Sequence, residues 1–125
     1  MTHDEVKNKT VRHHRELLVW QEAIALVKLV YQISSSFPKE EQFGLTAQMR
    51  RAAVSVPSNI AEGAARISRK EFVQFLAIAR GSLSELETQI VIAEELGFIA
   101  DSHSSMAQIE RIFRLLNGLM SSLRT

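Results

Sequence analysis

The chain contains no cysteine. That excludes disulfides and thiolate-held metal, and it is compatible with a reducing compartment. No apolar run approaches the ~20 residues needed to cross a bilayer. The N-terminus lacks the apolar core of a secretion signal, so the expected location is the cytoplasm, with no membrane partner. A net charge of +1 supplies no bulk attraction to DNA, RNA or a membrane surface. Nowhere do apolar and polar residues alternate with the period of a strand, and no segment repeats.

Catalytic signatures are missing as well. A di-iron bundle requires Glu-x-x-His pairs on facing helices, and none of the four histidines lies three residues after a glutamate. There is no HExxH, P-loop or GxGxxG. His13 and His14 are adjacent, so on a helix they point apart and make a poor metal pair; they read as solvated. His103, outside the N-terminal arm, sits in a turn, and no motif recommends it for a Ser-His-acid triad. The expectation is a protein that is not an enzyme, with no catalytic residue, no cofactor and no metal.

What the chain does have is apolar content of 46% over 125 residues, enough for one domain with one core. Residues 1–14 are polar and without period, and read as a flexible arm; 15–125 read as the domain. The spacing predicts helices near 15–36, 44–66, 68–96 and 102–124. Short connections make sequential neighbours antiparallel, giving an all-α, up-down-up-down four-helix bundle. The first helix carries two apolar seams, Leu17, Trp20, Ile24, Val27, Tyr31 and Val19, Ala23, Leu26, Val30, Ile33, Phe37. They lie ~110° apart, so roughly half the cylinder is apolar. Phe37-Pro38 ends this helix, since proline disfavours α geometry just before it.

Ser68 to Glu71 form a capping box at the start of the third helix. Phe72, Phe75, Leu76, Ala79, Leu83, Leu86, Ile90 and Ala93 give that helix its core stripe. Gly81 lies mid-helix, where a close approach by another helix is the reading that explains it. Gly97 fits a left-handed cap, with Phe98 folding back. In the fourth helix Met106, Ile109, Phe113, Leu116, Met120 and Leu123 form a heptad seam.

The second helix organises the rest. Leu45, Met49, Ala52, Val56 and Ile60 fall on one face, and Ala47, Val54, Ala61 and Ala65 on another. Between them runs a polar stripe of Gln48, Arg51, Ser55, Asn59, Glu62 and Arg66, spaced so that neighbours touch. Gln48, Arg51, Ser55, Asn59 and Glu62 read as a half-buried hydrogen-bond network, Arg51 supplying donors and Ser55, Asn59 and Glu62 acceptors. Such a network makes Arg51→Ala cost about 2–4 kcal/mol. An ordinary wet face makes it cost within ~0.5 kcal/mol. Glu62 reads as a partner of Arg51 or Arg66. Pro57 lacks an N–H and crowds the preceding turn, so the helix is expected to continue with a kink, Ser58 and Asn59 serving the backbone groups it leaves free.

The sequence GLTAQMRRAAVSVPSNIAEG, with FPKEE before it and FVQFLAIARGSLSELETQI after it, resembles the four-helix-bundle proteins known as 23S rRNA intervening-sequence proteins. The match runs from about Leu17 to Leu123 and includes Trp20. The resemblance implies an up-down bundle assembling as a homopentamer, without known catalysis. Similar bundles are accessory proteins of diversity-generating retroelements, where they contact nucleic acid and a reverse transcriptase. RNA, DNA or a nucleic-acid-processing protein is therefore an expected alternative partner beside the chain itself.

In such a bundle the near-zero net charge hides an axial polarity. One end gathers Lys7, Lys9, Arg12, Arg15, Arg66, Arg69, Lys70 and Arg124 against Asp4, Glu5, Glu16 and Glu71. The other gathers Glu40, Glu41, Glu94, Glu95 and Asp101 against Lys39. Arg12, Arg15, Arg66, Arg69 and Lys70 are the candidate nucleic-acid contacts, binding phosphates without sequence preference.

Overall fold

The computed structural model describes residues 13–124, which form four helices and, among the described residues, no strand. They are α1 (Leu18–Ser34), α2 (Leu45–Ala64), α3 (Arg69–Glu95) and α4 (His103–Arg124). Of the expected arm, residues 1–12 lie outside the described ones. His13–Glu16 form a 3-10 turn, and Leu17 is extended at φ −69°, ψ 125°, which is why α1 starts three residues later than the apolar period suggests. The turn packs against α2. It lays His14 edge-on to Trp20, ring centroids 5.3 Å apart, so His14 is half-buried and not solvated as expected.

Each helix ends for a local chemical reason. Ser34, Ser35 and Ser36 return their hydroxyls to the carbonyls of Val30, Gln32 and Ile33, at 2.7, 2.7 and 3.2 Å. These bonds satisfy orphan acceptors of the last turn. Glu41 accepts from the Leu45 N–H at 3.1 Å and so caps α2 from the preceding 3-10 turn. The Ser68 hydroxyl accepts from the Glu71 N–H at 3.1 Å and itself donates to the Glu71 carboxylate at 3.2 Å. The glutamate thus reaches back to the hydroxyl. Gly97 takes φ +80°, and the Phe98 N–H reaches the Ala93 carbonyl at 2.8 Å, the 6→1 bond of a Schellman ending. Phe98 then meets Phe37 at 5.5 Å, tying the two loops at that end together. Glu94 accepts from the Ser102 N–H and Asp101 from the His103 N–H at the start of α4.

Contacts fix how neighbouring helices run. Ser55 meets Ser82 while Gly63 lies against Phe72 and Phe75, so α2 and α3 are antiparallel. Arg80 donates to Asn117 while Glu94 holds Ser102, so α3 and α4 are antiparallel too. Arg50 on α2 reaches Ser34 near the end of α1, and Arg111 on α4 pairs with Glu22 of α1 at 3.1 Å. The four helices therefore close around one core of Leu26, Met49, Val56, Ile60, Leu76, Leu83, Leu86, Ile90, Ile109, Ile112, Leu116 and their neighbours.

α2 runs unbroken through Pro57, which is buried. The proline withholds the donor that the Ala53 carbonyl would otherwise receive. Asn59 does not supply it; its amide donates to the carbonyl and hydroxyl of Ser55 at 2.8 and 2.9 Å.

The glycines correct one expectation. Gly81 is exposed, and a Cβ there would meet nothing within 4 Å. The close approach lies at Gly63, where a Cβ would stand 2.7 Å from Phe75 Cβ, 2.9 Å from Phe72 Cδ1 and 3.3 Å from the Phe72 carbonyl. Two substitutions to alanine should therefore differ in sign. Gly63→Ala overpacks the α2–α3 contact and should destabilise by about 1–3 kcal/mol despite its better helix propensity. Gly81→Ala should stabilise by about 0.5–1 kcal/mol. Chemical denaturation of both variants, followed by circular dichroism, checks the pair.

Candidate functional site

The polar stripe of α2 divides into three parts. Ser55 and Asn59 are half-buried and joined: Asn59 donates to Ser55, and the Ser55 and Ser82 hydroxyls lie 2.9 Å apart across the α2–α3 contact. Glu62 and Arg66 form an exposed ion pair at 3.0 Å, and the Arg66 guanidinium rests 4.7 Å from the Phe75 ring centroid. Arg51 and Gln48 are exposed, and among the described residues neither side chain has a hydrogen-bond or ionic partner. The structure thus joins Ser55 to Asn59 and Glu62 to Arg66, and leaves Arg51 in solvent.

The arginine that does cross between helices is Arg50, one position away and 100° around the helix. Its Nε donates to Ser34 Oγ at 2.9 Å, a second nitrogen approaches the Tyr31 carbonyl at 3.4 Å, and Cζ lies 4.5 Å over the Tyr31 ring. Ser34 is buried, and its hydroxyl donates to the Val30 carbonyl. Further along the α2–α3 side, Gln89 is buried and donates to Glu85 at 3.1 Å, while its Oε1 has no partner. Sequence reasoning missed Arg50, Ser82 and Gln89. The signal for Arg50 was its phase beside Ala53 and Pro57, on the side that turns toward α1.

The apolar seams of α1 separate in the same way. Val19, Ala23, Leu26 and Val30 are buried, with Phe37 beyond the helix end. Of the other seam, Leu17, Trp20 and Val27 are half-buried, whereas Ile24 and Tyr31 are each 43% exposed. Val54 on α2, 40% exposed, shares the outer side of the α1–α2 pair, flanked by half-buried Ala47 and Ala61. α3 also exposes Ile78, Val91, Ile92 and Leu96, with Val91 about 100° around the helix from Ile92. In α4 the outward arc is polar, and Ile112 is buried where the heptad seam placed half-buried Phe113.

The charged ends are also in view. Arg15, Arg66, Arg69, Lys70 and Arg124 are all exposed; Arg12, like Lys7 and Lys9, lies outside the described residues. Of the three acidic residues beside them, Glu62 pairs with Arg66, Glu16 pairs with His13 and Glu71 is held by Ser68. Among the described residues no three His, Cys, Asp or Glu side chains come together as a metal cage, and no helix is long and apolar enough to cross a membrane.

The stability consequence is specific. Arg50→Ala removes a charge-assisted bond and the ring contact, and should cost about 1–3 kcal/mol. Arg51→Ala should change stability by no more than ~0.5 kcal/mol. Urea midpoints of the two variants, adjacent in sequence, decide between this assignment and a network centred on Arg51.

No curated protein matches the chain in sequence. A family model does: that of the 23S rRNA-intervening sequence protein matches residues 15–118, from the 3-10 turn ahead of α1 to the last turns of α4. With four helices around one core and a match over most of its length, the chain belongs to the 23S rRNA-intervening sequence protein family.

Proposed function

We propose that this protein is a non-enzymatic, cytoplasmic scaffold or interaction protein that works as a homo-oligomer, a pentamer as the family resemblance implies. The observation that carries this is the apolar side of α1 and α2 that stays exposed among the described residues. Trp20, Ile24, Val27 and Tyr31 form one seam, Val54 lies beside it, and three of these side chains are 40% exposed or more. Contiguous apolar surface of this kind marks an interaction site. Ile78 and Ile92 expose apolar side chains on a different helix, α3. Exposed apolar side chains on different helices of one chain suit a heterologous contact that closes into a ring. The non-catalytic reading is supported by the engagement of Glu62, the carboxylate of the polar stripe, with Arg66 in solvent.

A second reading has its own observation. Among the described residues, Arg15, Arg69, Lys70 and Arg124 have no carboxylate partner, and they lie at one end of the bundle with the start of α3. RNA or DNA phosphates, or a nucleic-acid-processing protein, are the partners that such an end suits as an alternative.

Two measurements separate these readings. Light scattering at micromolar concentration in high salt should give a mass near five times 14.1 kDa, or about 70 kDa for a closed ring. Ile24→Glu with Val54→Glu should reduce it to a monomer; a monomeric wild type overturns the proposal. Short RNA or DNA, titrated at several salt concentrations, should bind only at low ionic strength and lose affinity at least tenfold in the triple variant Arg66→Glu, Arg69→Glu, Lys70→Glu. Binding unaffected by the triple change removes the nucleic-acid reading.

A further inference from the structure

The two ends of the bundle are complementary in charge, and each also projects a bulky apolar side chain. At one end, Ile67 in the α2–α3 turn is 77% exposed among Arg66, Arg69 and Lys70, with Arg15 and Arg124 at the same end. At the other, Phe43 is 89% and Leu96 57% exposed among Glu40, Glu41, Glu94, Glu95 and Asp101, with Lys39 as the single basic residue of that group. The shared location of the acidic groups is fixed by the Phe37–Phe98 contact, which joins the loop after α1 to the loop after α3. That of the basic groups follows from the antiparallel α2–α3 and α3–α4 contacts and from the 3-10 turn lying against α2. Glu40 and Glu95 have no partner among the described residues. Glu41, Glu94 and Asp101 accept from backbone N–H groups.

These opposite charges cannot satisfy one another within a molecule. α3 has 27 residues, so the ends stand about 40 Å apart, several times the Debye length of about 8 Å at physiological salt. Arg66 is paired with Glu62, but Arg15, Arg69, Lys70 and Arg124 at one end and Glu40 and Glu95 at the other have no ionic partner among the described residues and can be satisfied by another copy. Apolar side chains set among charged ones are also the composition of a protein contact, where the apolar part is covered and the charges ring it.

We propose that the acidic end of one copy docks on the basic end of the next, so that the protein stacks end to end. The occupant is a second copy of this chain, because charge complementarity accounts for both ends at once; a polynucleotide would account for the basic end alone and leave Phe43 and Leu96 uncovered. The contact is heterologous and runs along the bundle axis, so it does not close, and growth is open. It concerns the ends, whereas the ring contact proposed above concerns the sides, and it holds for a monomer or a ring.

The test uses the full chain after nuclease treatment, with sedimentation velocity across a salt series. At about 20 mM salt the mean size should rise with protein concentration. At about 0.5 M, where screening is within a few ångströms, it should fall back to the basal oligomer. Two surface variants should each stay at basal size in low salt: Arg66→Glu, Arg69→Glu, Lys70→Glu, which reverses the basic end, and Glu40→Lys, Glu95→Lys, which neutralises the acidic end without touching a helix cap. Phe43→Ser should weaken the low-salt growth several-fold while leaving its salt dependence in place. Size that does not rise at low salt overturns the inference, as does growth unchanged in both charge variants or growth abolished by the nuclease. Loss of the basal oligomer in Ile24→Glu, Val54→Glu, with low-salt growth retained, separates the ring from the stack.

Discussion

The separation between α2 and α3 is set where Gly63 faces Phe72 and Phe75. A helix surface normally keeps its axis 8–10 Å from its neighbour, the distance its side chains require. With no side chain at position 63, the edge of the Phe72 ring and the Phe75 Cβ lie directly on the backbone of α2. That approach brings Ser55 within hydrogen-bond reach of Ser82 two turns away, and it lets the short turn between the helices carry its serine cap. The other two helices then have a fixed platform to close against. α1 uses Ser34 and Arg50 on one flank, and Glu22 and Arg111 on the other.

The core explains why α1 is half apolar. Its inner seam is consumed by the bundle: Ala23, Leu26 and Val30 have no exposure at all. Among the described residues the outer seam has no further helix to cover it, because α2 and α4 already flank α1. Burial of a large aliphatic side chain contributes about 1.5–3 kcal/mol. Leaving Ile24, Tyr31 and Val54 in water therefore forgoes stabilisation that a partner surface can supply.

Much of the fold was legible in the sequence, and the reasons are visible residue by residue. Helix positions came from periodicity, and the stops came from Pro38, Ser68 and Gly97, whose effects act within a few residues. What could not be read were interactions between helices. Arg50 and Arg51 are identical in type and adjacent. Only the position of Ser34, sixteen residues earlier, decides which of them is anchored. Gly63 and Gly81 pose the same difficulty, since the sequence around each is helical and the space beyond each belongs to another element. The start of α1 was misplaced because the 3-10 turn at His13–Glu16 carries no period of its own. The charged ends were legible because they needed only the order of the helices.

The Arg50–Ser34–Tyr31 clamp has a consequence for how the molecule presents itself. A cylindrical helix with two apolar seams ~110° apart has two nearly equivalent rotational settings about its own axis, one exchanging the inward seam for the outward one. Hydrophobic burial alone discriminates weakly between them, since both seams are aliphatic and aromatic. A fixed hydrogen bond to a buried hydroxyl adds discrimination, because the alternative setting would carry Ser34 away from Arg50 and break that bond. One polar contact therefore acts as a rotational key. It selects which of two greasy stripes becomes core and which becomes the outward face, and so gives every copy of the protein the same surface to offer its neighbours.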